Sequence, residues 1–188
     1  EPLLLIMGLG MQLIAWPEEL VQMLVSRGFR VIRMDNRDAG LSQGFDHLGV
    51  PHMVPVMLRA ALHLPVHAPY GVADMAADAL GVLDVLGLAS AHVVGASMGG
   101  MIAQTIAIEH PQRVRSLTSI MSNTGDRKSG RIAPSIMPKL AKMPTPNRAT
   151  AAQRSVDMFA LFSGSHFDPS EHLRRSQIGV DRSFRPAG

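Results

Sequence analysis

Cysteine is absent from this chain of 188 residues, so neither a disulfide bond nor a thiolate metal site can form. A chain without cysteine fits a reducing compartment, and we expect a cytoplasmic protein. No apolar run is long enough to cross a membrane. No basic segment precedes the first apolar stretch, so a signal peptide is not visible. The sequence therefore predicts no membrane span.

Aromatic and clustered basic residues are also scarce. Only 4% of the residues are aromatic, with one Trp and one Tyr, and the formal net charge is +3 without any run of Lys or Arg. Binding of nucleic acid is therefore not expected. In contrast, 46% of the residues are hydrophobic and 18% are charged, which is typical of one globular domain with a sizeable core.

One stretch, from Ala91 to Ala103, reads as an apolar strand, a glycine-rich corner and a helix. The corner contains the pattern G-x-S-x-G, with Gly95, Ser97 and Gly99 at its fixed positions. A turn this tight leaves no room for side chains two residues before and after the serine. It also lifts the serine hydroxyl clear of the sheet, beside the free N–H groups of a helix N-terminus. Ser97 is therefore the candidate nucleophile, and the alternative is a buried serine in a glycine-rich turn.

Apolar runs predict four strands, and amphipathic or capped segments between them predict helices. The strands are expected at residues 3–7, 29–34, 91–96 and 114–121. Helices are expected between Pro17 and Gly28, at 72–86 with an apolar stripe that reaches Leu86, and after the corner to residue 109. Beyond residue 125 no strand-like run follows, and helices are expected at 149–162 and 170–178, besides a short one around 57–64. Strands that alternate with helices predict an α/β fold with a mostly parallel sheet.

Three segments together resemble the α/β-hydrolase superfamily, and in particular bacterial esterases of the aclacinomycin methylesterase type. They are the corner at Ser97, the loop Asp35–Ser42, which is similar to D-x-R-G-x-G-x-S, and Met7–Leu9, which stands where the family often has His-Gly-x. The resemblance implies a hydrolase core in residues 1–125, with helices on both faces of the sheet, and an incomplete helical cap in residues 126–188. Met7 replaces the common His and Asp38 replaces the common Gly, but neither change removes a backbone donor.

The same resemblance implies hydrolysis of a carboxylic ester, or a related acyl bond, in a small apolar substrate. Ser97 would form the acyl-enzyme, and the backbone N–H groups of Met98 and Leu9 would hold the oxyanion. No metal and no organic cofactor is implied. The carboxylate and guanidinium of Asp35 and Arg37 are interpreted as holding a turn, in preference to a catalytic role.

The catalytic acid and base are harder to find in this sequence. Some superfamily members carry the acid just after the strand that follows the elbow helix, which would make it Asp126, although a solvated loop aspartate is the preferred interpretation. None of the eight histidines follows a late strand, and His166 and His172 could serve only by departing from the family order. We therefore expect that the chain lacks both ends of the fold, including the acid and the histidine, and that its start is a cut.

Three alternatives stay open at this point. A homologue that has lost its base would be a ligand-binding module without catalysis. A perhydrolase or haloperoxidase-like activity would share the same elbow. A dinucleotide-binding unit would use Gly8, Gly10 and Asp35, but the third glycine of that fingerprint is replaced by Leu13 and the helix begins late.

Overall fold

The computed structural model describes residues 1–49, 68–126 and 146–185, together with residues 59, 62, 64, 65, 133, 135, 136, 138, 139, 142 and 143. The short helix expected around residues 57–64 falls mostly outside the described residues. The strands are β1 Pro2–Ile6, β2 Arg30–Met34, β3 Ala91–Ala96 and β4 Val114–Ile120. The α-helices of the described ranges are α1 Glu18–Ser26, α2 Val72–Val85, α3 Met98–Glu109, α4 Ala151–Ala160 and α5 Pro169–Arg182.

The four strands form one sheet in the order β2-β1-β3-β4, and all neighbours are parallel. Each strand returns to the sheet through a crossover, which is what parallel pairing requires. Leu4 at the middle of β1 pairs with Ile32 on one side and with Val93 on the other. The predicted parallel sheet is confirmed, and β1 reads as a continuous apolar run because it is covered on both faces.

Successive residues of β1 feed two separate cores, because side chains alternate across a strand. Leu4 and Ile6 face α2 and α3, where they pack in one cluster with Leu83 and Ile102. Leu3 and Leu5 point to the opposite face and pack with a second set that includes Trp16, Val21 and Ala96. Helices therefore cover both faces of the sheet, as expected.

The apolar stripe of α2 differs from the prediction at its end. The buried residues of this helix are Met75, Ala76, Ala79, Leu80 and Leu83. Leu86 was expected to complete the stripe, but it is 37% exposed. Leu86 is the C-cap residue, whose N–H still donates to the carbonyl of Val82 at 3.2 Å, and Gly87 at φ 68° turns the chain directly after it. The buried stripe therefore ends at Leu83, and Leu86 lies at the exposed end of the helix.

No strand follows β4 within the described residues, and the helices α4 and α5 pack against each other. The carboxylate of Asp168 caps α5 by accepting hydrogen bonds from the N–H groups of Ser170 and Glu171. The helical character expected after residue 125 is thus observed, while the division of the chain at that point stays a prediction. None of the helices in the described ranges has the length and apolarity needed to span a membrane.

The last strand of the sheet presents an exposed surface. Residues 115–119 of β4 are all exposed, and the apolar side chain of Leu117 is 40% exposed. An edge strand with apolar side chains favours pairing with other chains, and charged residues prevent it.

We therefore expect Leu117→Lys to reduce self-association of this chain, measured as mass against concentration by analytical ultracentrifugation. Val25→Lys is the matched control, because Val25 is 47% exposed on α1 and lies away from the edge. A wild-type chain that remains monomeric at every concentration would contradict this prediction.

Candidate active site

Ser97 lies between the last residue of β3 and the first residue of α3, with φ 54° and ψ −122°. An L residue rarely adopts a positive φ, and holding one there costs about 1–3 kcal/mol. Two backbone hydrogen bonds keep the corner in place, from Ser97 N–H to the carbonyl of Ile120 and from Gly100 N–H to the carbonyl of Ser97, each 2.9 Å. Ser97 is exposed although its neighbour Ala96 is buried. The corner therefore presents the hydroxyl at the surface of a rigid frame.

The glycines of the corner are required by contact between backbones. A Cβ on Gly95 would overlap the carbonyl of Gly99, and a Cβ on Gly99 would overlap the carbonyl of Ile6 at the end of β1. The backbones of β1, β3 and α3 therefore meet without intervening side chains. This is the steric reason from which the sequence pattern was interpreted.

The turn after β1 lies against the serine. A Cβ on Gly8 would stand 3.1 Å from Cβ and 3.5 Å from Oγ of Ser97. The turn is closed by a hydrogen bond of 3.2 Å from Met11 N–H to the Gly8 carbonyl, with Gly10 at φ 66°. Leu9, the predicted second oxyanion donor, is therefore held beside the nucleophile.

Both predicted oxyanion residues line the same cavity, which has a volume of about 70 Å³. Met98 is the first residue of α3, and the first N–H groups of a helix have no acceptor within it. The other residues around the cavity are Gly10, Asn36, Arg37, Asp38, Ala39, Tyr70 and Met75. The structure thus brings Leu9 and Met98 together, and their role as donors stays a prediction.

Asp35 and Arg37 are engaged in structural contacts. The carboxylate of Asp35 is 3% exposed, accepts hydrogen bonds from the N–H groups of Leu13 at 2.7 Å and Leu41 at 3.1 Å, and pairs with Arg182 at 2.7 Å. The guanidinium of Arg37 donates to both carboxylate oxygens of Asp78, at 2.7 and 2.8 Å. These contacts agree with the structural interpretation of both residues.

Asp126, the candidate acid, is exposed on the loop after β4. Its N–H donates to the hydroxyl of Thr124 at 3.4 Å. In the part of the chain that the structure describes, no hydrogen bond joins its carboxylate to a histidine. The preferred interpretation as a solvated aspartate agrees with this placement.

The described histidines lie apart from the nucleophile or have other partners. His92 is at the start of β3, where its ring nitrogens contact Glu1 at 2.8 Å and Ser116 at 2.7 Å. His110 ends α3, His47 packs on Phe45, and His166 is exposed. His52, His63 and His67 fall outside the described residues.

His172 has a polar partner of its own. Its Nε2 lies 3.0 Å from the hydroxyl of Ser155, and its ring packs on Phe159 and Phe167. Burial lowers the pKa of His172, and the nearby charge of Arg175 adds to this effect. No hydrogen bond joins Ser97 Oγ to any histidine among the residues described.

Residues 1–164 match the family described as alpha/beta hydrolase fold. The chain belongs to that family. This α/β-hydrolase chain is 34% identical over 177 residues to rhodomycin D methylesterase DauP of Streptomyces sp. (strain C5), covering 93% of the chain and 52% of the relative. It is 43% identical over 61 residues to 2-hydroxymuconate semialdehyde hydrolase of Pseudomonas putida, covering 32% of the chain and 21% of the relative.

Solved structures show the same fold. The meta-cleavage product hydrolase from Pseudomonas fluorescens IP01 matches the α/β-hydrolase chain with a TM-score of 0.64 at 19% identity, covering 99% of this chain and 57% of that one. The chain spans about half the length of the methylesterase that it matches. The predicted fold and the predicted resemblance to esterase-like members are both confirmed.

Sequence reasoning about this α/β-hydrolase chain missed the contact between Asp38 and Tyr70. Asp38 has φ 63°, and its Oδ1 accepts a hydrogen bond of 2.7 Å from Phe45 N–H. Its Oδ2 accepts a short hydrogen bond from the hydroxyl of Tyr70. Burial, aided by this bond, raises the pKa of Tyr70 to about 12. The only sequence signal was an aspartate at a position where the family has glycine.

The contacts around the glycines predict that two Gly→Ala changes have opposite effects on the free energy of unfolding. Gly95→Ala forces a methyl group into the backbone of Gly99, and overpacking of this kind costs about 1–3 kcal/mol or more. Gly81→Ala in α2 meets nothing within 4 Å, and we expect it to stabilise the chain by about 0.5–1 kcal/mol. Denaturant unfolding followed by the fluorescence of Trp16 measures both. Equal free energies of unfolding would contradict the steric account.

The Tyr70 contact predicts an alkaline transition. Tyr70 is the one tyrosine of the chain, so near-ultraviolet tyrosinate absorbance reports it directly. The folded pKa exceeds the unfolded value of about 10, so the burial of neutral Tyr70, with its hydrogen bond to Asp38, contributes fully to stability below pH ~10. That contribution is lost as the pH rises toward about 12.

We expect Asp38→Asn to lower the pKa of Tyr70, because it removes the negative charge beside the phenol. Asp126→Asn, on a different loop, should leave that pKa unchanged. An equal Tyr70 pKa in the wild-type and Asp38→Asn chains would show that the contact does not raise that pKa.

Proposed function

We propose that this chain carries the nucleophile and oxyanion site of a serine esterase that acts on a small carboxylic ester. The exposed Ser97 at its strained corner is the observation that carries this proposal. Support comes from the family membership and from the methylesterase that is 34% identical. In the reaction, Ser97 Oγ attacks the ester carbonyl carbon while its proton passes to a base. The N–H groups of Leu9 and Met98 hold the negative oxygen that forms.

The intermediate then collapses to products in two stages. The bond from carbon to the alcohol oxygen breaks, the alcohol leaves with a proton, and the acyl group stays on Ser97 as an ester. Water then attacks this acyl-enzyme, which returns the free acid and the serine hydroxyl. Without a base at Ser97, only the residual catalysis of binding and oxyanion stabilisation operates.

The cavity supports a small group on the ester. Its volume of about 70 Å³ is small, and Leu9 and Met98 line it, while Ser97 is not among its lining residues. A short ester substituent therefore suits this cavity better than a long one. A short ester agrees with the name of the related methylesterase.

A second candidate is a ligand-binding α/β-hydrolase homologue without catalysis. It is favoured by one observation, namely that no histidine of the described residues contacts Ser97. The dinucleotide alternative has less support, because α1 begins at Glu18, well after Gly10, and Asp35 already has its hydrogen-bond partners.

Labelling with a fluorophosphonate separates the two candidates. We expect slow covalent modification of Ser97, since the described residues supply no base, located by peptide mass mapping and abolished in Ser97→Ala. Ser116→Ala is the matched control, because Ser116 is an exposed serine that does contact a histidine. Wild-type and Ser116→Ala chains should be labelled equally. A chain that binds short esters but is never labelled at Ser97 would be the non-catalytic homologue.

Turnover of a p-nitrophenyl ester tests the completeness of the site. We expect only slow hydrolysis by this chain, because the described residues supply no base at Ser97. Rapid turnover that disappears in Ser97→Ala would contradict this and would require a histidine at the site. His166→Ala and His172→Ala would then identify the base among the described candidates.

A further inference from the structure

The C-terminal end of α5 binds the two loops that follow β1 and β2. Ser183 Oγ donates to the carbonyl of Gly40 at 2.7 Å, and Arg185 Nη2 donates to the carbonyl of Ser42 at 2.7 Å. Arg182 contacts both loops at once, through Gln12 and Asp35. Because these contacts join residues distant in the sequence, they fix the loops relative to each other. We call Gln12, Asp35 and Arg182 the loop clamp.

The guanidinium of Arg182 bridges the two loops with its two terminal nitrogens. Nη1 donates to the side-chain carbonyl of Gln12 at 2.7 Å, and Nη2 pairs with the Asp35 carboxylate at 2.7 Å. Asp35 is 3% exposed and Arg182 is 22% exposed. The planar guanidinium of an arginine can hold two acceptors at a fixed separation, whereas the ammonium of a lysine is a single point charge.

Gln12 is held from its other end as well. Its Nε2 donates to the carbonyls of Gly179 at 2.7 Å and Ser183 at 2.9 Å. Carbonyls at the end of a helix need such external donors. All polar atoms of the Gln12 side chain therefore point to α5, and the position of residue 12 depends on that helix.

The clamp is continuous with the oxyanion turn. Gln12 directly follows Met11, whose N–H closes the turn on Gly8. The N–H of Leu13, the residue after Gln12, donates to Asp35 at 2.7 Å. The turn begins at Gly8, which lies against Ser97. It is followed directly by Gln12 and Leu13, the two consecutive residues that the loop clamp holds.

We propose that Arg182 is a positioning residue that sets the place of the Leu9 N–H relative to Ser97. The inference rests on the proposed function, since it assigns that N–H to the oxyanion. Among the described residues, no hydrogen bond or ion pair joins Arg182 to Ser97 or to the residues that line the cavity, so its effect passes through Gln12 and Asp35. It acts on the rate of acylation and leaves binding of the reagent unchanged.

The test compares Arg182→Gln and Arg182→Lys with the wild-type chain. Arg174→Gln is the matched control, because Arg174 lies on the same helix and pairs with Glu171 three residues earlier. All variants are studied well below their unfolding temperatures, with folding verified by the fluorescence of buried Trp16. The first readout is hydrogen exchange in the peptide from Gly8 to Trp16, and the second is the rate of fluorophosphonate labelling of Ser97 against reagent concentration.

In Arg182→Gln we expect faster exchange of the Met11 and Leu13 amides and a maximal labelling rate reduced about tenfold. Complete loss of one oxyanion donor costs about 10²–10³ in rate, and a displaced donor should cost less. The half-saturating reagent concentration should not change. The exchange and labelling rates of Arg182→Lys should lie between those of the wild type and Arg182→Gln, since lysine can satisfy one of the two acceptors. The rates of Arg174→Gln should match those of the wild type.

Two results would overturn the inference. One is a wild-type maximal labelling rate in Arg182→Gln together with faster exchange, which would make the clamp a structural tie alone. The other is unchanged exchange in the Gly8 to Trp16 peptide, which would show that Arg182 does not hold the turn. A wild-type chain that is not labelled at Ser97 would refute the proposed function itself, and exchange would still show whether the clamp exists.

Discussion

Close approach of three backbones is the constraint on which this structure depends. The carbonyl of Ile6 at the end of β1 lies where a side chain on Gly99 would be, and Gly99 in turn excludes a side chain on Gly95. Strand β1, strand β3 and helix α3 can therefore be brought together only through glycine. The unfavourable φ of Ser97 is held in the same way, because the hydrogen bonds on either side of the corner leave it no alternative.

The fold was predictable because its signals are local. An apolar run such as that of β1 and a terminating glycine such as Gly87 each report a property of a few neighbouring residues. The end of α2 was the exception. Leu86 continues the helical spacing in the sequence and keeps its hydrogen bond to Val82, but as the cap residue it lies at the exposed end of the helix. The spacing of apolar residues predicts the buried face of a helix more reliably than it predicts where the helix ends.

The candidate site was predictable only in part. Residues within one short motif could be predicted, but contacts between residues far apart in the sequence could not. Ser97 and Met98 lie inside one short pattern, and Leu9 follows from the resemblance. Two partners of Asp35, Arg182 and Leu13, could not be predicted, since they are far from it in the chain and nothing local joins them. The same holds for Tyr70, which reaches Asp38 across a proline-containing segment whose course no periodicity indicates.

The strand order also explains why a cavity lies beside the loops that follow β1 and β3. From β1 the chain winds outward to β2 and then returns past β1 to β3, so the direction of winding reverses between β1 and β3. At such a topological switch point the loops that leave the carboxyl ends of adjacent strands diverge, and a crevice opens between them. Those loops are the ones that carry Gly8 and Ser97. The crevice is thus a property of how the chain is connected, so its existence does not depend on which side chains line it.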